Sequence, residues 1–343
     1  MIDIGVLISG LIIGILFGII LQRGRFCMNS AFRDIILLKE YKLVKSVVIA
    51  LLTCMIGFGI LGVAGLVTFN PKAFTVLGSI TGGLVFGVGM VLAAGCASGS
   101  TYRVGEGMTG SLVAIIGLAL GAYATAAGAL SGVKTFLQAD NLGGLMVFGA
   151  LTPIMTLIIG IVGFAVVFYF WVFPLLKEKE KMVDFSDLKV KIVKTAWPWY
   201  TTGLLIGLLN VIAWPLSAAA GRNYPLGITA GWLGNLKYLV TGDDTNFNWL
   251  TWMVLGVVLG AFVISLIAGE FKLRIPKEGK TLLLQLVGGF LMGFGAVTAM
   301  GCNIGNLLSG IPQWSVGSIV VAVGIVLGCW IMAYLLFMRG DKD

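Results

Sequence analysis

The sequence predicts an all-α integral membrane protein of about nine transmembrane helices, arranged as two inverted repeats with short broken or re-entrant helices. Three observations carry that prediction. Hydrophobic residues make up 58% of the 343 and charged residues only 11%, too little polar surface to cover a soluble domain of this length. Nine apolar runs are long enough to cross a hydrocarbon layer of ~30 Å. They lie at 4–21, 44–67, 76–95, 110–130, 143–174, 199–216, 249–268, 281–300 and 314–338. Finally, a Gly- and Cys-rich stretch of the first half returns in the second at a constant spacing.

Taken in order, the first run lacks a basic leading segment and a small-residue cleavage site. It is expected to be the first span and not a signal peptide. The connection after it carries Arg23, Arg25, Arg33, Lys39, Lys42 and Lys45. Basic clusters recur after the fifth run (Lys177, Lys179, Lys181, Lys189, Lys191, Lys194) and after the seventh (Lys272, Arg274, Lys277, Lys280), with Arg339 and Lys342 at the end. The alternate connections hold little: Lys72, Lys134, then Arg222 and Lys237 against Asp243 and Asp244. With nine spans every rich connection falls on one side, which the positive-inside rule makes cytoplasmic. The N-terminus is then expected outside and the C-terminus in the cytoplasm. The formal charge of +8 is explained by this orientation; the bilayer is the implied partner and nucleic acid is not.

The repeat has an offset of 206. Gly82, Gly83, Gly87, Gly89, Gly95, Cys96 and Gly99 recur as Gly288, Gly289, Gly293, Gly295, Gly301, Cys302 and Gly305. After one further residue Gly110-Ser111 matches Gly317-Ser318, and Gly10-Leu-Ile-Ile-Gly14 weakly matches Gly203-Leu-Leu-Ile-Gly207. The expected organisation is a first repeat over 1–140, a connecting helix and cytoplasmic linker over 141–195, and a second repeat over 196–343. Four spans per half and one connector make the second half enter the membrane from the opposite face. Such inverted repeats bind their cargo near the midplane, where paired helices break. Gly-Cys-x-x-Gly interrupts an apolar run at matching positions of both halves, the expected break.

Histidine is absent, so proton relay and metal ligation by imidazole are excluded. None of the five cysteines forms a CxxC pair, which argues against a zinc site; no metal or cofactor is expected. Cys54 and Cys329 sit in continuous apolar helix and read as packing residues. Cys96 and Cys302 sit at the Gly-rich breaks, and Cys27 lies in Gln22-Arg-Gly-Arg-Phe-Cys-Met-Asn-Ser30. In the second half the region matching Cys27 reads Arg222-Asn-Tyr-Pro225, without a thiol.

Three strings, Gly-Arg-Phe-Cys-Met-Asn-Ser-Ala-Phe-Arg-Asp (24–34), Ala-Gly-Cys-Ala-Ser-Gly (94–99) and Met-Gly-Cys-Asn-Ile-Gly (300–305), resemble the YeeE/YedE family of sulfur-compound transporters over essentially the whole chain. The resemblance implies a bacterial inner-membrane importer of thiosulfate. It also implies reliance on three cysteines, matching Cys27, Cys96 and Cys302, and a small cytoplasmic sulfur-carrier protein as partner. Some relatives are associated with selenium, so another sulfur or selenium oxyanion stays open. The chemistry is compatible: thiosulfate carries a soft terminal sulfur that a neutral S–H can contact, whereas a thiolate would repel the dianion. Burying that dianion requires compensating charge. Helix N-termini after the breaks, with Arg25, Arg103 and Arg222, are the candidate sources, and Glu106 is expected to pair with Arg103. Asn29, Asn303 and Asn306 are candidate polar contacts, and Gly95, Gly99, Gly301 and Gly305 let backbone line the path.

Two readings compete. An importer passes thiosulfate intact; a membrane sulfurtransferase would attack it with a low-pKa thiolate and keep a persulfide. No His or adjacent Lys activates any of the three thiols, and a doubled Cys motif suits a path better than one active site. The chain is therefore expected not to be an enzyme. It also has no GxxxxGK[ST] motif and is not expected to hydrolyse ATP itself.

Overall fold

A computed structural model describes residues 4–175 and 193–339. Most of the connecting linker, with Lys177, Lys179, Lys181, Lys189 and Lys191, and the terminal Lys342 lie outside the described residues. The first half contains α1 (Ile4–Gly24), α2 (Met28–Leu37), α3 (Lys42–Val63), α4 (Val76–Leu92), α5 (Ala97–Gly105) and α6 (Thr109–Ala126). The first half ends with α7 (Ser131–Leu137), and α8 (Thr152–Val167) runs between the halves. The second half contains α9 (Trp199–Ala219), α10 (Ile228–Thr241), α11 (Trp249–Ile267), α12 (Gly279–Thr298) and α13 (Val316–Ala333), with a π-helical turn at Ile304–Leu308 before α13. Among the described residues nine helices are long and apolar enough to cross a membrane. This is a multi-pass, all-α membrane protein.

Glycine decides which helices meet. Lipid gives helices no hydrophobic reason to associate, so close van der Waals approach must hold them together. On α4 and α12 the approach is reciprocal. A Cβ on Gly82 would lie 2.8 Å from the carbonyl of Gly295, and one on Gly295 would lie 2.6 Å from that of Gly82. Gly89 and Gly288 stand in the same relation, with 2.6 and 2.8 Å. These are the residues of the 206-residue repeat, and residue i meeting j while j′ meets i′ marks a pseudo-two-fold contact. The other major pairs follow the same exchange: α1 packs on α11 while α3 packs on α9, and α4 packs on α13 while α6 packs on α12. Each half thus supplies the packing partner of the other.

Full-length helices stop where the thiols are. α4 ends in a Schellman turn: Gly95 N–H donates to Met90 O at 3.0 Å and Ala94 N–H to Val91 O at 3.0 Å, with Ala94 at φ 55°. α12 ends identically, with Gly301 to Ala296 at 2.6 Å, Met300 to Val297 at 3.3 Å and Met300 at φ 55°. α1 ends likewise at Arg25 (φ 49°), and α9 at Gly221 (φ 82°). Three of these four positions hold a non-Gly residue in the left-handed region, a conformation costing roughly 1–2 kcal/mol. The first helix runs three residues beyond the run expected from hydropathy, through Gln22 and Arg23 to Gly24. Arg23 can remain helical and only 1% exposed because Glu270 and Gln22 satisfy it.

Candidate functional site

Each of the three thiols occupies the residue between a stopped helix and a short one. Cys27 caps α2 with extended backbone (φ −147°, ψ 121°), and Cys96 caps α5 (φ −79°, ψ 171°), accepting from Gly99 N–H at 3.3 Å. Cys302 precedes Asn303 and the turn Ile304–Leu308, and its carbonyl accepts from Asn306 N–H at 2.9 Å. All three are buried. Cys27 Sγ lies 3.8 Å from Cys96 Sγ, within reach of a weak sulfur hydrogen bond. Gly99 makes that contact possible, since a Cβ there would sit 2.7 Å from Cys27 Sγ and 3.2 Å from Cys96 Sγ. The third break joins them through the next residues in the chain: Asn303 Nδ2 donates to Met28 Sδ at 2.9 Å.

Cys302 lines a cavity of about 440 Å³ on the face opposite the basic connections. Lys72 and Arg222 line it too. The Lys72 ammonium lies 3.5 Å from Asn306 Oδ1 and 4.9 Å from the centroid of the Tyr224 ring. It occupies the space a side chain at Gly301 would need, and a Cβ on Gly305 would lie 3.0 Å from it. Glycine at 301 is therefore required for the ammonium to enter the helix break beside Cys302. Burial lowers the Lys72 pKa to about 7, with Cys302 opposing and Arg222 reinforcing the shift. Burial also lowers Arg222, to about 10, while Tyr224 and Cys302 pull it back. Arg222 donates to the carbonyls of Tyr224 (2.6 Å) and Pro225 and to Ser217 Oγ (3.3 Å), so it shapes the wall it charges. Gly227, the extended cap of α10 at φ −159° and ψ 117°, stands where Cys27 stands in the first half. The second half thus has no fourth thiol there; a Cβ on Gly227 would lie 3.2 Å from the Arg222 guanidinium.

On the basic face Arg103 takes the part that Lys72 takes opposite. Its guanidinium donates to Ala94 O at 2.7 Å and lies 3.3 Å from where a Cβ on Gly95 would be. Arg25 is different. It pairs with Glu106 (3.4 Å) and Glu270 (2.8 Å), in a network that adds Arg23 and the Gln22 amide, which donates to Glu106 at 3.1 Å and Glu270 at 2.7 Å. The expected Glu106–Arg103 pair is replaced by Glu106–Arg25, because the α1 stop points Arg25 at the α5 end. Two arginines and two glutamates leave this cluster neutral, so Arg25 is not a free charge for an anion.

The polar candidates divide in the same way. Asn306 is 1% exposed and holds the break, donating to Gly301 O at 2.7 Å and Cys302 O at 3.3 Å while accepting from Ser318 Oγ at 3.0 Å. Asn29 accepts from Cys329 Sγ at 3.8 Å, and its buried Nδ2 has no partner among the described residues. The buried Asn303 Oδ1 likewise has none. Among the described residues no cluster of three or more His, Cys, Asp or Glu could hold a metal. In the sequence Lys72 reads only as a minor charge in a poor connection. Its signal was position, one residue after Pro71 in the loop leading into α4.

A family model described as sulphur transport matches residues 23–331. This chain belongs to that family. It is 41% identical to a thiosulfate transporter TsuA from Spirochaeta thermophila, over 96% of this chain and 99% of that one. It is 35% identical to a thiosulfate transporter TsuA from Escherichia coli, over 98% and 96%. A shorter match, 38% identity over 78 residues, links it to a probable transporter YedE of Escherichia coli, covering 23% and 20%. The family resemblance drawn from the three cysteine strings is borne out by these near full-length matches.

Proposed function

We propose that this protein imports thiosulfate across the bacterial inner membrane, with its N-terminus outside and its C-terminus in the cytoplasm. Repeats over 1–140 and 196–343 enclose the path, joined by the segment 141–195. The ion enters the cavity beside Cys302, where Lys72 and Arg222 supply two positive charges for its two negative ones. Neutral thiols then pass it inward, Cys302 to the Cys96–Cys27 pair, each S–H donating to the soft terminal sulfur while Asn29 and Asn303 meet its oxygens. A hydroxyl-lined path would hold sulfate equally well; sulfur contacts favour the ion that carries sulfur on its surface. The single observation that supports this relay best is the 3.8 Å approach of Cys27 and Cys96 at two helix stops, held open by Gly99. A small cytoplasmic sulfur-carrier protein receiving the ion at the basic connections completes the proposal.

The test is uptake of thiosulfate labelled separately at its two sulfurs, in vesicles containing the full chain. Import predicts that both labels enter together in a one-to-one ratio. Retention of the terminal label on protein, with sulfite released outside, would replace this reading with sulfur transfer.

A further inference from the structure

The basic face carries a second cavity, of about 280 Å³, lined by Ala94, Arg103 and Arg274 among others. Ser111 and Gln285 complete its polar wall, and no carboxylate lines it. Two guanidinium groups facing one space repel each other unless an anion joins them. On this side Arg23 and Arg25 are neutralised by Glu270, Arg25 also by Glu106, and Arg33 by Asp34 at 2.7 Å. Arg103 and Arg274 have no ion-pair partner among the described residues.

A buried hydroxyl lies near Arg103, outside the residues that line the cavity. Ser100 is fully buried, and its hydroxyl has no hydrogen-bond partner among the described residues. A Cβ on Gly95 would sit 2.9 Å from Ser100 Oγ and 3.3 Å from Arg103, so glycine at this position lets the hydroxyl and the guanidinium pack closely beside the helix stop. Arg274 is held there by its backbone. Its N–H donates to Gly107 O at 2.9 Å, and its carbonyl accepts from Thr109 N–H at 3.2 Å and Thr109 Oγ1 at 3.0 Å. Its exposed side chain is therefore presented by a rigid bridge between the halves.

The repeat gives this cavity a counterpart. Ala94 lines it as Met300 lines the Lys72–Arg222 cavity, at the same position of the two Schellman stops. We infer that the basic-face cavity is a second binding station for a divalent tetrahedral oxyanion, held by Arg103 and Arg274 with Ser111 and Gln285 as its polar wall. The inference rests on the proposed import and supplies its exit. An ion leaving the low-dielectric thiol pair needs a cation waiting beyond it, and a path with several moderate sites releases cargo that one tight site would trap.

Equilibrium binding of labelled thiosulfate to the purified full chain, in nanodiscs of phosphatidylcholine, tests this directly. Wild type is expected to bind two ions per chain. Arg274→Gln should weaken one of them by roughly tenfold or more and leave the other unchanged, while Lys72→Gln should do the reverse. One ion per chain, lost in Lys72→Gln and unaffected by Arg274→Gln, would overturn the second station and leave import standing. No saturable binding by the wild type would overturn both. In nanodiscs of phosphatidylglycerol the Arg274-dependent ion should persist. Its loss there alone would assign the cavity to a lipid phosphate and overturn the free-ion station.

Discussion

Replacing Gly99 by Ala separates the thiol contact from the stability of the fold. Gly99 lies inside α5 with ordinary helical backbone, so an added methyl favours the helix by about 1 kcal/mol. The same methyl would stand 2.7 Å from Cys27 Sγ and 3.2 Å from Cys96 Sγ. An ordinary contact needs about 3.5–4 Å, so Cys27 Sγ must retreat by roughly 1 Å. Overpacking of this kind costs about 1–3 kcal/mol. The net change in stability is a loss of about 0–2 kcal/mol, compatible with normal expression. The proposed relay loses more, because the 3.8 Å sulfur separation opens or one thiol turns away, and a ~1 Å misplacement of a reacting group costs on the order of 10²-fold. Thiosulfate uptake by proteoliposomes, normalised to folded protein, should therefore fall at least tenfold. Wild-type uptake by a well-folded Gly99→Ala protein would refute the idea that these two sulfurs act together.

Uptake should depend on pH through Lys72, whose burial brings its pKa to about 7. In the empty site the ammonium is charged below that pH and neutral above it, and a bound dianion raises the pKa. Affinity is therefore full below about 7 and falls as pH rises through it. Lys72→Arg should flatten the profile between pH 6.5 and 8.5, read as half-saturating thiosulfate; an unchanged slope would remove Lys72 from the site. Cys27→Ala, Cys96→Ala and Cys302→Ala should each nearly abolish uptake. Cys54→Ala and Cys329→Ala, whose thiols meet Asn210 and Asn29 inside packed helices, should retain most of it, and loss in either would put its sulfur on the path. Glu270→Gln leaves the buried Arg23 without its carboxylate. The cost is about 2 kcal/mol, below the 3–5 of a fully buried pair because Glu270 is 26% exposed, and thermal unfolding of the purified protein should show it as a melting point lower by a few degrees. An unchanged melting point would mean that the network contributes nothing to the fold.

Much of the site was legible in the sequence because it rests on local patterns. Gly-Cys-x-x-Gly breaks an apolar run in both halves of this chain, and its doubling located Cys96 and Cys302. The polar string around Cys27 located the third break, although not α2 itself, which is hidden among the basic residues of that connection. What the string did not reveal was the state of Arg25. Its partners Glu106 and Glu270 are 81 and 245 residues away, and nothing in its neighbourhood distinguishes a free arginine from a neutralised one. Lys72 was equally silent. A lone lysine in a short connection usually marks the membrane surface, and only the loop path past Gly301 carries this one down to a thiol.

By itself the sequence determined the membrane class, the nine spans and the duplication, because hydropathy and glycine spacing are summed along the chain and need no partner to be read. The tertiary structure alone decided which cations are free and which thiols touch. Both depend on where two helix stops meet after α4 and α12 have closed on each other through Gly82, Gly89, Gly288 and Gly295. Charge and sulfur contacts act over a few ångströms between residues far apart in the chain, so they exist only once that packing has formed.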